Sequence, residues 1–354
     1  RSTHRMSSAA SDLYKRQADR TGAGGPIVAL AGGYDVKEWF VELGLPVRDN
    51  FNLEAGLRFA DYSTGNDTDA FKLGGYYQVN DQVSLRATVQ TATRHGSITE
   101  LYRGQGSSLT DLDPDPCGTD PETNIGPSYT QAQCANTGLP ASLYGSDLKS
   151  PADQYNILTG GNPNLVPEES ESTTIGIVLT PDAIPGLTLT LDYFDIVVED
   201  KIGTIPASTS LKNCLETGNP TFCNLIERDP IAGTLWVSPG QIITTNTNVA
   251  EESMTGFDLI FDYMLETGLG PIDIKGITTF TESNELTVMP GEAAIECAGY
   301  YGKSCGKNPM PEVAGNYTAS LSRGNLDYVF GMRYLGETED LNTTANDYED
   351  KKYN

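Results

Sequence analysis

Six cysteines are the residues of this sequence with the clearest chemical potential. They fall into three close pairs, and closely spaced thiols form either local disulfides or part of a zinc site. The chain has no Cys-x-x-Cys spacing, and its only histidines are His4 and His95. The pattern therefore favours an oxidising environment and three local disulfides, which pair Cys117 with Cys134, Cys214 with Cys223, and Cys297 with Cys305.

Three aspartates at alternate positions, Asp111, Asp113 and Asp115, resemble the start of a calcium-binding loop. An EF-hand loop would have glycine where this chain has Pro116, and the glutamate that closes such a loop is missing. Residues 93–170 hold ten Asp and Glu against three Lys and Arg. A solvated acidic loop therefore explains the aspartates better, and calcium is kept as the alternative.

The sequence contains no G-x-S-x-G, P-loop or H-E-x-x-H motif. Two histidines give little support to a Ser–His or Asp–His pair, and His95 beside Arg94 fits a polar residue at the base of a loop. We therefore expect no enzyme and no cofactor. The alternative class is an outer-membrane or secreted β-rich enzyme, or a carbohydrate-binding or adhesin protein.

The net charge of −25 argues against a nucleic-acid partner, since phosphate backbones are bound by clustered Lys and Arg. No stretch approaches the roughly 18 apolar residues of a membrane-spanning helix. A closed transmembrane barrel stays possible, because each of its strands is short and only half apolar.

The elements that must position these residues are strands, because apolar residues recur at every second position. Leu187, Leu189 and Leu191, for example, alternate with Thr188 and Thr190. This run and similar runs along the chain predict ten strands, at about 37–45, 52–62, 70–79, 83–92, 171–180, 187–198, 244–265, 271–283, 313–323 and 326–335.

Short turns rich in Pro, Gly, Asn and Asp alternate with long connections along this series of strands. The long connections cover residues 63–69, 93–170, 199–243, 284–312 and 336 onward. Strict alternation predicts an all-β, antiparallel up-and-down sheet that forms part of a transmembrane β-barrel, with short periplasmic turns and long extracellular loops. All three cysteine pairs would then stand at one end of the sheet. One apolar face would meet lipid, through Leu53, Leu57, Leu85, Leu187, Leu191, Phe257, Phe261 and Phe330.

Several segments together resemble the C-terminal part of the barrel of TonB-dependent outer-membrane receptors. The segment 161–181 carries an N-P-x-L-x-P-E pattern, and 85–106 resembles an R-x-P-x-x-x-E-L segment with Gly96 near the place of the proline. The segment 248–263 has a central glycine followed by an acidic residue. The matching residues are Arg94, Glu100, Leu101, Asn162, Pro163, Leu165, Pro167, Glu168, Gly256 and Asp258.

This resemblance implies a partial barrel at residues 37–335, an extracellular loop or incomplete N-terminal piece at 1–36, and a truncated extracellular loop at 336–354. The resemblance further implies that the plug, the TonB box and the last strands of the family lie outside this sequence. It implies an outer-membrane location in a Gram-negative cell, with membrane lipid and, through the missing N-terminal region, the TonB complex as partners.

The resemblance also implies a receptor that binds a scarce solute in its outer loops and imports it with TonB-derived energy. The solute would be a small molecule or an oligosaccharide, such as a siderophore, a vitamin or a sugar chain. Loop residues with aromatic or polar side chains are the candidates for substrate contact: Tyr102, Arg103, Trp236, Tyr300 and Tyr301.

Overall fold

The computed structural model describes residues 30–268, 270–289, 293–302, 305 and 308–341. The chain divides into two compact units that alternate along the sequence. Unit 1 comprises Arg1–Tyr34, Gly96–Val166 and Ile202–Val249, and unit 2 comprises Asp35–His95, Pro167–Lys201 and Ala250–Asn354. Among the described residues, no helix is both long and apolar enough to cross a membrane.

Strands dominate the described residues. In chain order they are β1 (Val36–Arg48), β2 (Phe51–Tyr62), β3 (Asp67–Asn80), β4 (Val83–Arg94), β5 (Gly106–Asp111), β6 (Gln154–Thr159), β7 (Glu168–Leu179), β8 (Leu187–Gly203), β9 (Ile226–Glu227), β10 (Gln241–Ile243), β11 (Thr247–Thr267), β12 (Gly270–Thr287), β13 (Ile295–Glu296), β14 (Tyr300–Tyr301), β15 (Val313–Arg323), β16 (Leu326–Leu335) and β17 (Glu339–Asp340). The helices are α1 (Ile98–Tyr102), α2 (Gln131–Asn136), α3 (Ala207–Thr217) and α4 (Pro220–Cys223), with a 3-10 turn at Ala141–Leu143.

The long strands form one sheet in the order β1-β2-β3-β4-β7-β8-β11-β12-β15-β16, with β13 added beside β12. The described ladders of this sheet are antiparallel, as in β1 with β2 and in β15 with β16. Each of the ten predicted strands corresponds to one strand of this series. The predicted up-and-down sheet is therefore confirmed.

Cross-strand register gives the sheet one apolar face. Leu43 pairs with Ala55, Ala55 with Leu73, and Leu73 with Val89, so a single apolar row crosses four strands. Such residues are exposed rather than packed: Leu73 is 57% and Phe330 68% exposed. Of the eight residues predicted to face lipid, five are exposed (Leu57, Leu85, Leu191, Phe257 and Phe330) and three are half-buried (Leu53, Leu187 and Phe261). None of the eight fills a core between two sheets, which excludes the sandwich arrangement for these strands.

The opposite face of the sheet is polar and carries ion pairs between strands. Arg58 pairs with Glu38, and Lys72 with Glu54. Lys275 of β12 lies 3.2 Å from Asp262 and 3.0 Å from Asp273. One wet face and one apolar face on every strand is the pattern of a barrel wall between water and lipid.

Unit 1 has a sheet of its own, in the order β5-β6-β10-β9. The β6–β10 pair is parallel, and β5–β6 and β10–β9 are antiparallel. The long connections 93–170 and 199–243 have a core of their own. Their buried residues include Leu101, Leu139, Leu148, Tyr155, Leu211, Leu215, Phe222, Ile226, Leu235 and Ile242.

A second small pairing lies in unit 2, where β14 runs parallel to β17 with Tyr300 opposite Glu339. The predicted division into residues 1–36, 37–335 and 336–354 stays a prediction, because residues 1–29 and 342–354 lie outside the described part of the chain.

Candidate functional site

The three predicted disulfides are present. Their Cα–Cα distances are 5.8 Å for Cys117–Cys134, 4.8 Å for Cys214–Cys223 and 5.6 Å for Cys297–Cys305. The first two lie in unit 1 and the third in unit 2. All six cysteines are therefore bonded in pairs, as the spacing favoured. The placement of all three at one end of the sheet stays a prediction.

The three aspartates of the possible calcium loop differ in burial. Asp111 and Asp113 are exposed, whereas Asp115 is buried against Arg228. Both carboxylate oxygens of Asp115 accept from the guanidinium, at 2.6 and 3.2 Å. Within the described ranges, no group of three or more His, Cys, Asp and Glu side chains could hold a metal ion. A buried arginine thus already pairs with the third of these aspartates, and calcium binding by the loop stays an alternative raised by the sequence alone.

Arg228 was not singled out by sequence reasoning, although it and Asp115 form an almost fully buried ion pair in unit 1. Its side chain is 1% exposed and that of Asp115 is 0% exposed. It also donates to the Thr137 hydroxyl and to the carbonyl of Gly233, both at 2.8 Å. The pair spans 113 positions of sequence, so no local pattern could have revealed it.

Two of the motif residues named in the sequence analysis, Arg94 and Glu168, lie opposite each other in the β4–β7 ladder. Their side chains form a bidentate ion pair, with contacts of 2.5 and 2.6 Å. Next to Arg94, the His95 ring stacks on Tyr62 at 4.2 Å, and its Nε2 lies 2.8 Å from the Thr64 hydroxyl. This agrees with the interpretation of His95 as a polar residue at the base of a loop.

The motif residues Glu100 and Leu101 lie in α1 and fix its start and its packing. Ser97 and Glu100 form a reciprocal capping box, and Leu101 is 1% exposed. The Glu100 carbonyl accepts from the Asn162 N–H at 2.9 Å and from Asn246 Nδ2 at 3.0 Å. Leu165 is buried, Pro163 is exposed and Pro167 is half-buried. The similar segments 85–106 and 161–181 thus supply backbone anchoring and packing, rather than a cluster of reactive groups.

The last two motif residues, Gly256 and Asp258, lie in β11, which pairs with β12. The register shifts between Thr255 and Gly256, and a Cβ at Gly256 would collide with the carbonyl of Phe280 and the ring of Phe194. Asp258 accepts a 2.6 Å hydrogen bond from the Thr279 hydroxyl. Glycine is therefore required here by close packing at a bulge.

The five substrate-contact candidates divide between the units. In unit 1, Tyr102 is half-buried, Arg103 is exposed, and Trp236 donates its indole N–H to the Leu148 carbonyl at 3.2 Å. In unit 2, Tyr300 and Tyr301 are half-buried strand residues. Trp236, Tyr300 and Tyr301 thus have structural contacts, and Arg103 is the most accessible of the five. Contact of any of them with a substrate stays a prediction.

Electrostatics in the long connections are dominated by acidic groups. Residues 96–166 hold eight Asp and Glu against two Lys and Arg. The hydrogen bond from Lys149 to Glu122, together with the nearby charge of Asp120, raises the pKa of Lys149. Burial raises the pKa of Glu296, but hydrogen bonds from the Ser283 hydroxyl and the N–H groups of Asn284 and Ala298 outweigh it and hold that pKa below its usual value. These hydrogen-bonded charged groups help to order their loops.

Comparison with known proteins gives one family match, to the family described as "TonB dependent receptor-like, beta-barrel", over residues 4–354. No curated protein matches the sequence. Several solved structures are similar in fold.

A variant of the ferric enterobactin receptor PfeA from Pseudomonas aeruginosa is 15% identical with a TM-score of 0.50, over 91% of this chain and 36% of that one. A second PfeA variant, solved in complex with enterobactin, is 14% identical with a TM-score of 0.50, over 86% and 33%. The siderophore receptor PirA from Acinetobacter baumannii is 18% identical with a TM-score of 0.49, over 87% and 35%. The chain spans about a third of the length of these solved receptors.

Proposed function

This chain belongs to the TonB-dependent receptor β-barrel family, and we propose that it is the solute-binding and membrane-spanning part of a receptor that imports a scarce solute with TonB-derived energy. Members of this family are outer-membrane proteins, and outer membrane is the location of this chain. The family consists of transport receptors and not of enzymes.

The observation that carries this proposal is the two-faced sheet. Ten sequential strands expose apolar residues on one side, such as Leu73 and Phe330, and pair charges on the other, such as Lys72 with Glu54. A protein in water would leave that apolar face uncovered, whereas lipid covers it without further protein. The polar face then borders an aqueous lumen through which a solute can pass.

The long connections support the binding part of the proposal. Residues 96–166 and 202–249 form a folded unit with its own core and two disulfides. A folded surface presents side chains in fixed positions, which lowers the entropy cost of binding a ligand. Arg103 is the exposed candidate on that surface, with Tyr102 beside it.

Energy coupling and the substrate class extend this proposal. We take a ferric siderophore as the first substrate class to test, since the similar solved receptors are described as siderophore or ferric enterobactin receptors. A vitamin and an oligosaccharide are the alternatives. The acidic excess of residues 96–166 favours a neutral or cationic complex over a strongly anionic one. TonB and the outer-membrane lipid are the proposed partners.

Binding to the receptor in its full natural length tests this proposal. The purified protein in detergent is titrated with neutral, cationic and anionic ferric siderophores, with cobalamin and with oligosaccharides, and tryptophan fluorescence is followed. Saturable binding of a siderophore, weakened by Arg103→Ala and unchanged by the exposed control Lys212→Ala, is the expected result. Saturable binding of cobalamin or an oligosaccharide with none of any siderophore would contradict the siderophore proposal and leave the receptor assignment intact.

A further inference from the structure

We infer that the two long connections of unit 1, residues 96–166 and 202–249, move as a single body, and that the buried Arg228–Asp115 pair couples one connection to the other. We name residues 96–166 the first connection and residues 202–249 the second. This inference goes beyond the proposed function, because it holds whatever solute the receptor binds.

The first observation is a shared sheet. The first connection supplies β5 and β6, and the second supplies β9 and β10. The two halves join where Ile157 lies opposite Ile242 in the parallel β6–β10 pair. Backbone bonds extend the join, with Thr244 N–H donating to Leu158 at 2.8 Å and Asn156 N–H to Leu235 at 3.0 Å. Neither connection can keep this sheet if the other one leaves.

The second observation is the ion pair at the centre. Arg228 of the second connection donates to Asp115 and to the Thr137 hydroxyl, both in the first connection. Both charges are almost fully buried, at 1% and 0% exposure. Separating them would leave two uncompensated charges away from water, which is strongly unfavourable. The pair therefore favours an arrangement in which both connections are in place or both are displaced.

The third observation is a set of asparagines that bridge the two connections. Asn156 Nδ2 donates to the carbonyls of Trp236 and Gly240, at 3.0 and 2.9 Å. Asn248 exchanges two hydrogen bonds with the Val166 backbone, each 2.9 Å long. An asparagine side chain can satisfy backbone donors and acceptors, so these two strand residues bind backbone groups of the other connection that lie outside any strand.

The disulfides complete the argument by their placement within each connection. Cys117–Cys134 closes a loop inside the first connection, and Cys214–Cys223 closes one inside the second. The Cys117 N–H donates to Asp115 at 3.0 Å, so the first disulfide also fixes the carboxylate that Arg228 meets. Each half is covalently stiffened, while the join between the halves is non-covalent and can transmit a change.

Hydrogen exchange on the full-length receptor in detergent tests the inference. Arg228→Met lies in the second connection, and we expect it to speed amide exchange in residues 112–139 of the first by roughly tenfold or more, besides its local effect. Lys212→Met is the matched control, since Lys212 is exposed in the same connection, and it should leave residues 112–139 unchanged.

Faster exchange confined to residues 225–235 in Arg228→Met would overturn the inference, because the two connections would then open independently. If that variant fails to fold, Asn246→Ala provides the second test, as it removes only a half-buried amide that donates to the Glu100 carbonyl. Faster exchange around Glu100 and Asn162 supports coupling, and exchange altered only near residue 246 contradicts it.

Discussion

An ion pair on the polar face of the long sheet shows how single residues hold neighbouring strands together. Arg86 of β4 reaches Asp192 of β8, with bonds of 2.8 and 2.5 Å, across the strand β7 that lies between them. The intervening residue is Gly176, which lies opposite both. A Cβ at Gly176 would collide with the Asp192 carboxylate, so the absence of a side chain allows the pair to form.

Gly176→Ala should therefore lower the free energy of unfolding by about 1–3 kcal/mol, since the added methyl displaces a paired carboxylate. Chemical unfolding of the detergent-solubilised protein measures this. Gly331→Ala is the control, because Gly331 lies on the same face of β16 with no atom within 4 Å of an added Cβ. Equal effects of both substitutions would show that the Arg86–Asp192 pair contributes nothing.

At the scale of elements, the sequence could predict what depends on local periodicity and could not predict what depends on distant pairing. The long strands alternate visibly, so β8 at Leu187–Gly203 and β16 at Leu326–Leu335 were predicted within a few residues. The strands β9 and β10 are only two and three residues long, and β10 joins the sheet through β6, which is far away in sequence. Their unit was therefore expected to be loop.

The same limit applies to the candidate site. The disulfides could be predicted because the partners are close in sequence, and the resembling residues because they keep a fixed order. The burial of Asp115 depends on Arg228, which no spacing rule connects to it. The spacing of the three aspartates therefore could not show that one of them is paired with an arginine.

The disulfide Cys117–Cys134 should stabilise unit 1 specifically. Replacing both cysteines by alanine should cost about 2–4 kcal/mol of local stability, because the disulfide restricts the unfolded forms of this loop. Hydrogen exchange of residues 112–146 is the measurement. The double replacement of Cys297 and Cys305, which lie in unit 2, should leave that exchange unchanged. If removal of either disulfide changed the exchange of residues 112–146 equally, the assignment of the two disulfides to separate units would be contradicted.

On the scale of the whole molecule, family membership and the two-faced sheet both predict that the long strands have lipid on one side and water on the other. Residues 319 and 320 of β15 test it at equal depth. Ala319 lies opposite Ile274 and Phe330 on the apolar face, and Ser320 lies opposite Asp273 and Val329 on the other face.

Ala319→Arg should destabilise the folded protein in lipid by about 2–4 kcal/mol, because it places a charge in hydrocarbon. Ser320→Arg should have a small effect, since the new charge faces the lumen beside Asp273. Unfolding in lipid vesicles compares the two variants. A larger cost for Ser320→Arg would mean that the two faces have been assigned the wrong way round.

Uptake of iron by cells tests the central claim, import of a solute with TonB-derived energy, most directly. Cells that produce the full-length receptor are given a radiolabelled ferric siderophore that the purified protein binds, in the presence and absence of functional TonB. The account predicts accumulation that requires both the receptor and TonB, and surface binding alone when TonB is missing. Equal accumulation with and without TonB would contradict it.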